Sequence, residues 1–168
     1  MQLLFIRHAI AADRDEWAKS GRPDSERPLT DRGRSRMRRA ARGLARLLPQ
    51  PDLIATSPYL RALETAAIVS KGFGGPPPTE LAALVPGVDL GDLVTWLRGQ
   101  KASATIALVG HEPHLGDALC YILTARREGF YEFKKGGAAL IQIADPPTAG
   151  VARLLWVLDP GQLRRIDE

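Results

Sequence analysis

Leu3-Leu4-Phe5-Ile6 is an unbroken apolar run that stops abruptly at Arg7-His8. Four apolar residues with no polar alternation read as a strand buried on both faces, so layers must lie above and below it. The pattern recurs twice. Asp52-Leu53-Ile54-Ala55 leads into Thr56-Ser57-Pro58, and Thr105-Ile106-Ala107-Leu108-Val109 leads into Gly110-His111-Glu112-Pro113. Segments of helical character separate these runs. Strands alternating with helices predict a three-layer α/β/α sandwich with a mainly parallel central sheet. In such a sheet the faces are covered and ligands bind at the C-terminal strand ends, where this chain places its Arg, Ser and His residues.

The remaining segments fit this frame. The polar stretch from Ala9 to Arg27 has no sustained periodicity, and a loop of that length reads as a lid or binding loop. Thr30 is the expected N-cap of a helix running to about Leu48, with Asp31 in its first turn and Pro49 and Pro51 beyond its end. Ser57 as N-cap and Pro58 at the first helical position predict a second helix from Tyr59 to about Lys71. A Gly/Pro loop, Gly72 to Pro78, leads to a brief strand near Thr79. Helices are expected over Asp89 to Arg98 and from Pro113 onward. Ala139 to Ala144 and Val151 to Leu158, joined by a short Pro/Gly connection, predict a closing antiparallel hairpin. One domain is expected over 1–168, without internal repeats.

Composition narrows the setting. Hydrophobic residues at 45% and charged residues at 25% are ordinary for a globular protein. The single cysteine, Cys120, lies in an apolar segment and reads as a core side chain; no internal disulfide framework is possible. The first strand is too short for a signal-peptide core, and no apolar run reaches membrane-spanning length, so a cytoplasmic protein is expected. The net charge of +4 rests on arginine, with a cluster between Arg32 and Arg46. Met37, Ala41, Leu44 and Leu48 recur at helical spacing through that cluster, which makes the arginines the wet side of an amphipathic helix. An RNA-binding surface is the rival reading, weakened by the lack of interleaved aromatics. No nucleic acid or membrane partner is expected.

The strand ends share a chemistry. Arg7 and His8, Ser57 with Arg61, and His111 would meet on one sheet edge, two of them opening helices whose N-termini favour anions. Two arginines, two imidazoles and two helix starts suit a dianionic phosphoryl group. Neutral imidazole is a good nucleophile near neutral pH. His8, on the most buried strand, is the better-fixed nucleophile; His111 is the better hydrogen-bond donor to the transferring oxygens. Ser57 and Glu112 are further candidate substrate contacts.

These residues resemble a known family. Leu4-Phe5-Ile6-Arg7-His8 is similar to the Arg-His-Gly signature of the histidine phosphatase superfamily, with Ala9 in place of Gly. Asp24 through Gly33, Ser57-Pro58-Tyr59-Leu60-Arg61-Ala62-Leu63-Glu64-Thr65-Ala66 and Val109-Gly110-His111-Glu112-Pro113 resemble further motifs of its small, SixA-type phosphohistidine phosphatase branch. The closing hairpin and Trp156-Val157-Leu158-Asp159-Pro160 are also similar. The resemblance implies a phosphoglycerate mutase-like fold and no cofactor or metal. It also implies phosphorylation of His8, with Arg7, Arg61 and His111 holding the phosphoryl group and Arg27 contributing from the lid, in a signal-transduction setting. The methyl of Ala9 is expected to stay out of the pocket.

The leaving group decides the substrate. An alcohol needs a positioned proton donor, whereas imidazole leaving from phosphohistidine can dispense with one. The small branch lacks a dedicated acid and large capping insertions, so a phosphorylated protein is the expected partner and substrate, with a small phosphorylated metabolite or nucleotide as the alternative. A phosphate-binding module without turnover is a third reading. Glu80, Glu112 and Asp13 are the acids that could act on an ester, Glu80 foremost. His114, Lys134 and Lys135 are expected to be exposed or to border the site without acting in it.

Overall fold

The computed structural model describes residues 1–168. Its strands are β1 (Gln2–Arg7), β2 (Leu53–Thr56), β3 (Thr79–Glu80), β4 (Thr105–Gly110), β5 (Ala138–Ile143) and β6 (Ala152–Leu158). Its helices are α1 (Arg14–Ala18), α2 (Asp31–Leu47), α3 (Leu60–Phe73), α4 (Leu90–Arg98), α5 (His114–Thr124) and α6 (Pro160–Ile166). The strands form one sheet in the order β3-β2-β4-β1-β5-β6. The pairs β3·β2, β2·β4 and β4·β1 are parallel, and the hairpin β5–β6 adds antiparallel strands beside β1. This is a three-layer α/β/α architecture with a mainly parallel sheet.

Side-chain alternation along β1 divides the core. Leu4 and Ile6 face one layer with Ile54, Ala107 and Val109, against Met37, Ala41 and Leu44 of α2, Ala62 and Ala66 of α3, and Leu163 of α6. Leu3 and Phe5 face the other, with Ile106 and Leu108, against Leu93 and Leu97 of α4 and Leu115, Leu119 and Ile122 of α5. Both faces of the central strands are therefore sealed, and only the strand ends are reachable. No helix is long and apolar enough to cross a membrane.

Several local expectations change. Thr30 caps α2 through a hydrogen bond from Gly33 N–H at 2.9 Å, as expected. Ser57 does not cap α3: Tyr59 holds that position without a side-chain cap, because the Ser57 hydroxyl is engaged by His111. The long segment after His8 is not structureless. It contains α1, capped by Asp13, and a 3₁₀ turn at Asp24–Glu26. The helix α6 was not anticipated at all. His114 is buried, its Nε2–H donating to the Ala83 carbonyl at 2.9 Å, so it serves the fold.

Candidate active site

Register alone brings the site together. Arg7 pairs with Gly110 across β1·β4, and Thr56 with Val109 across β2·β4. The next residues, His8, His111 and Ser57, therefore emerge from adjacent strands at one edge, spaced by roughly the 4.8 Å separation of neighbouring strands. His8 N–H continues the ladder to Gly110 O at 2.9 Å, and Ser57 N–H continues it to Val109 O at 3.0 Å. The His8 and His111 ring centroids lie 5.1 Å apart.

The His8 imidazole is set by its own backbone. Its Nδ1 lies 2.7 Å from the Ala9 carbonyl, which can only accept, so Nδ1 carries the hydrogen and Nε2 keeps its lone pair. Ala9 N–H in turn donates to Thr65 Oγ1 at 3.0 Å, and the Thr65 hydroxyl donates to Arg61 O at 2.7 Å. This chain ties the loop that follows His8 to α3. Burial holds His8 down to about 3; the Ala9 hydrogen bond opposes this, while the charges of Arg61, Arg7 and Arg27 add to it. His111 is likewise held at about 3, by burial first and then by His8 and Arg61. Both rings are neutral at physiological pH.

Four arginines line the cleft; Arg14 is exposed, and Arg7, Arg27 and Arg61 are more deeply set. The Arg7 guanidinium donates to Phe133 O and lies 3.5 Å from the Glu132 carboxylate. Arg61 donates from Nη1 to Asp24 O at 2.8 Å and pairs through Nη2 with Asp24 Oδ2 at 3.0 Å. Arg27 donates from Nε to Asp24 Oδ1 at 2.8 Å and from Nη1 to Ala12 O at 2.8 Å. Asp24 thus bridges two buried guanidiniums. Burial would raise its carboxyl, but the Arg27 hydrogen bond and the charges of Arg61 and Arg27 prevail and keep it ionised.

Only a few buried side-chain polar atoms lack a protein partner: Arg7 Nε, Arg61 Nε, His111 Nδ1 and Glu112 Oε1. Native interiors pair nearly all such groups, so each exception calls for an explanation. Three belong to residues expected to hold the phosphoryl group. For His111, Nε2 is 2.8 Å from Ser57 Oγ, and that oxygen faces Tyr59 N–H at 3.4 Å. The hydroxyl hydrogen is then free to point at His111 Nε2, which leaves Nδ1–H as a donor. Unpaired N–H donors concentrated in one cleft, with an imidazole lone pair beside them, form a cradle for an oxyanion and a nucleophile for its central atom.

The cleft of about 710 Å³ is lined by Arg7, His8, Arg27, Arg61, His111 and Glu112 among others. Ser57 is fully buried and is not on its wall; it acts on His111 from behind. Glu112 is on the wall, its carboxyl pushed up to about 7 by burial, against a hydrogen bond from Phe133 N–H and the charge of Arg7. Glu80 is exposed on β3 and lines no part of the cleft. Asp13 does line it, but its carboxylate accepts Asp15 and Glu16 N–H groups at 3.0 and 3.1 Å as the α1 cap. Ala9 lines a separate, smaller cavity and is not on the cleft wall.

Two residues of the cleft were missed. Asp24 carried a sequence signal, since an acid three residues before Arg27 suggests a local pair, but its reach to Arg61 is tertiary. Tyr59 packs its ring 5.0 Å from that of His111 and under the Arg61 guanidinium, also at 5.0 Å. An aromatic two residues before an expected clamp arginine was the available hint.

Comparison with known proteins agrees with this geometry. The family model described as histidine phosphatase superfamily (branch 1) matches residues 3–86. An uncharacterised protein of Picosynechococcus sp. is 38% identical over 139 residues, 82% of this chain and 82% of that protein. The structure of the protein histidine phosphatase SixA complexed with tungstate superposes with a TM-score of 0.83 at 25% identity, over 97% of this chain and 99% of that one. A protein of Agrobacterium tumefaciens, provisionally described as the phosphohistidine phosphatase SixA, shares the fold with a TM-score of 0.74 at 24% identity, over 95% of this chain and 97% of that one. On the family match and the shared architecture, the chain belongs to the histidine phosphatase superfamily, branch 1, and is a phosphatase.

Proposed function

We propose that the enzyme removes the phosphoryl group from phosphohistidine in a protein, through a phosphorylated His8. His8 Nε2 attacks phosphorus and the P–N bond to the substrate imidazole breaks; that ring, protonated from solvent on its other nitrogen, takes the bond's electron pair and leaves as neutral imidazole. Arg7, Arg61 and His111 Nδ1–H hold the equatorial oxygens as charge redistributes, with Arg27 closing from the lid side. Water then attacks phospho-His8; the His8–P bond breaks and inorganic phosphate departs.

The choice of leaving group rests on the state of the acids at the cleft. Asp24 and Asp13 are both held ionised, by Arg27 and Arg61 in one case and by helix-capping N–H groups in the other, so neither has a proton to give. Glu80 stands outside. With Asp24, Asp13 and Glu80 unable to give a proton, a leaving group that needs no enzyme acid is favoured, and Glu112 is the one acid left to weigh against it. That the similar SixA binds tungstate, a tetrahedral oxyanion, is in keeping with such a cradle.

A second reading, hydrolysis of a phosphate ester, rests on Glu112 alone. It is the one acid of the cleft raised toward neutrality, although its Oε1 is buried and turned from solvent. Comparing kcat/KM on a phosphohistidine peptide with a panel of alkyl and aryl phosphates separates the two. The proposal expects the peptide to be preferred, and Glu112→Gln to leave that preference unchanged. Higher kcat/KM on alkyl phosphates, lost in Glu112→Gln, would replace it with the ester reading.

A further inference from the structure

Beside the catalytic cleft lies a cavity of about 90 Å³ whose polar wall is formed by Arg36, Lys135 and Arg164. Ile10 and Lys135 line both spaces, so the two adjoin. We propose that this cavity is a second anion subsite, which takes a further negatively charged group carried by the same substrate. The proposal deepens the phosphatase reading and takes the acidic group to be a carboxylate or second phosphate near the transferred one.

The arrangement of charge on α2 is the main argument. Arg34 pairs with Glu64 at 2.6 Å, Arg39 with Glu168 at 2.6 Å and Arg42 with Asp167 at 2.7 Å, and Arg46 donates to Ile166 O at 2.7 Å. Arg32 and Arg38 are unpaired but exposed. Arg36 is different: it is half-buried and has no acid or carbonyl partner. Arg164, on α6, is also half-buried and unpaired. Lys134 reaches Asp159 at 2.6 Å, whereas the adjacent Lys135 makes no ion pair and turns to the two cavities.

Crowding cations without a counter-charge is unfavourable, and here it is concentrated at one small concavity. Burial, and then the charges of Arg36, Arg39, Arg165 and Arg32, lower the affinity of Arg164 for its proton, which reflects the same crowding. The floor beneath is apolar, with Met37, Ala40 and Pro160. Two guanidiniums and an ammonium beside apolar side chains match a carboxylate or phosphate by charge and by their supply of N–H donors. Ala9 lines this cavity and His8 lines the cleft, so the chain from His8 to Ala9 runs from one space to the other.

The test pairs Arg36→Gln with Arg164→Gln, since neither residue lines the catalytic cleft. Substrates are phosphohistidine peptides with Glu or Gln at flanking positions, an alkyl bisphosphate with its monophosphate counterpart, and phosphoramidate as a minimal P–N substrate. We expect the wild type to prefer the doubly charged partner of one pair about tenfold, corresponding to 1.4 kcal/mol, and the double variant to lose that preference. Phosphoramidate turnover should stay unchanged. If the preference lies in the peptide pair, the second group is a carboxylate and the phosphohistidine reading stands with it. If it lies in the bisphosphate pair, the subsite stands with a second phosphate as its ligand, and the phosphohistidine reading falls only if kcat/KM on the alkyl phosphates also exceeds that on the peptides. Absence of a preference in both pairs, or an equal fall on phosphoramidate, overturns the subsite; the latter would mean general electrostatic steering.

Discussion

At the scale of single residues, the site depends on how each polar group is already committed. His8 spends Nδ1–H on Ala9, Ser57 serves His111, and Asp24 holds Arg27 and Arg61. Asp24 therefore aligns Arg27 and Arg61 and, on the proposed function, competes with a phosphoryl oxygen for the same donors. Asp24→Asn removes the competing charge, so inorganic phosphate should inhibit the variant at about tenfold lower concentration. The same change weakens the partner of a buried Arg61, and urea denaturation should register a loss of roughly 1–3 kcal/mol that saturating phosphate restores. Weaker phosphate inhibition would mean that alignment outweighs competition. Nitrogen-15 NMR of the imidazoles offers a direct check on His8: Nε2 should remain unprotonated in the free enzyme well below pH 6.5.

At the scale of elements, the central strands and α2 to α5 were legible because they carry long apolar runs or clear caps. Arg7, His8 and His111 were legible as cleft residues because they end or directly follow those runs, whereas Arg61 sits on α3 beyond β2. What escaped reading was short or tertiary. The helix α1 spans five residues, too few to show a period, and α6 spans seven. Ser57 and Pro58 look like a helix start, yet the hydroxyl is diverted by His111, a partner 54 residues away. Local chemistry could not reveal that competition, nor the reach of Asp24 to Arg61 across 37 residues. Gly33 shows how closely the elements approach. A Cβ there would sit 2.0 Å from Ile10 O, the backbone of the loop that leaves His8. Gly33→Ala should cost roughly 1–3 kcal/mol by overpacking and lower kcat by displacing that loop, measurable by thermal melting and by turnover. Unchanged turnover would show that the loop and the nucleophile are independent.

At the scale of the whole molecule, buried titratable groups couple the site to folding. His8 and His111 are held at about 3, below the ordinary imidazole value of 6.5, so between those limits the unfolded chain binds more protons. Their contribution makes stability rise with pH over that window and fall on acidification below about 6.5. Glu112 has the opposite sign: raised from 4.5 to about 7, it makes stability fall as pH rises between those values. Two imidazoles outweigh one carboxyl, so the melting temperature should still climb from pH 4.5 to 6.5. It should climb more steeply in Glu112→Gln, where the opposing group is gone. A slope unaltered by that substitution would place the Glu112 carboxyl in an ordinary solvated state.

The central claim is that the lone pair on His8 Nε2 receives the phosphoryl group. Rapid quenching of the enzyme with a phosphorus-32-labelled phosphohistidine protein, followed by peptide mapping, tests it most directly. The account predicts an acid-labile, alkali-stable label on the peptide containing His8, formed and discharged at rates consistent with turnover, and absent from His8→Ala together with activity. Turnover that persists in His8→Ala, or a label that maps to another residue, would contradict it.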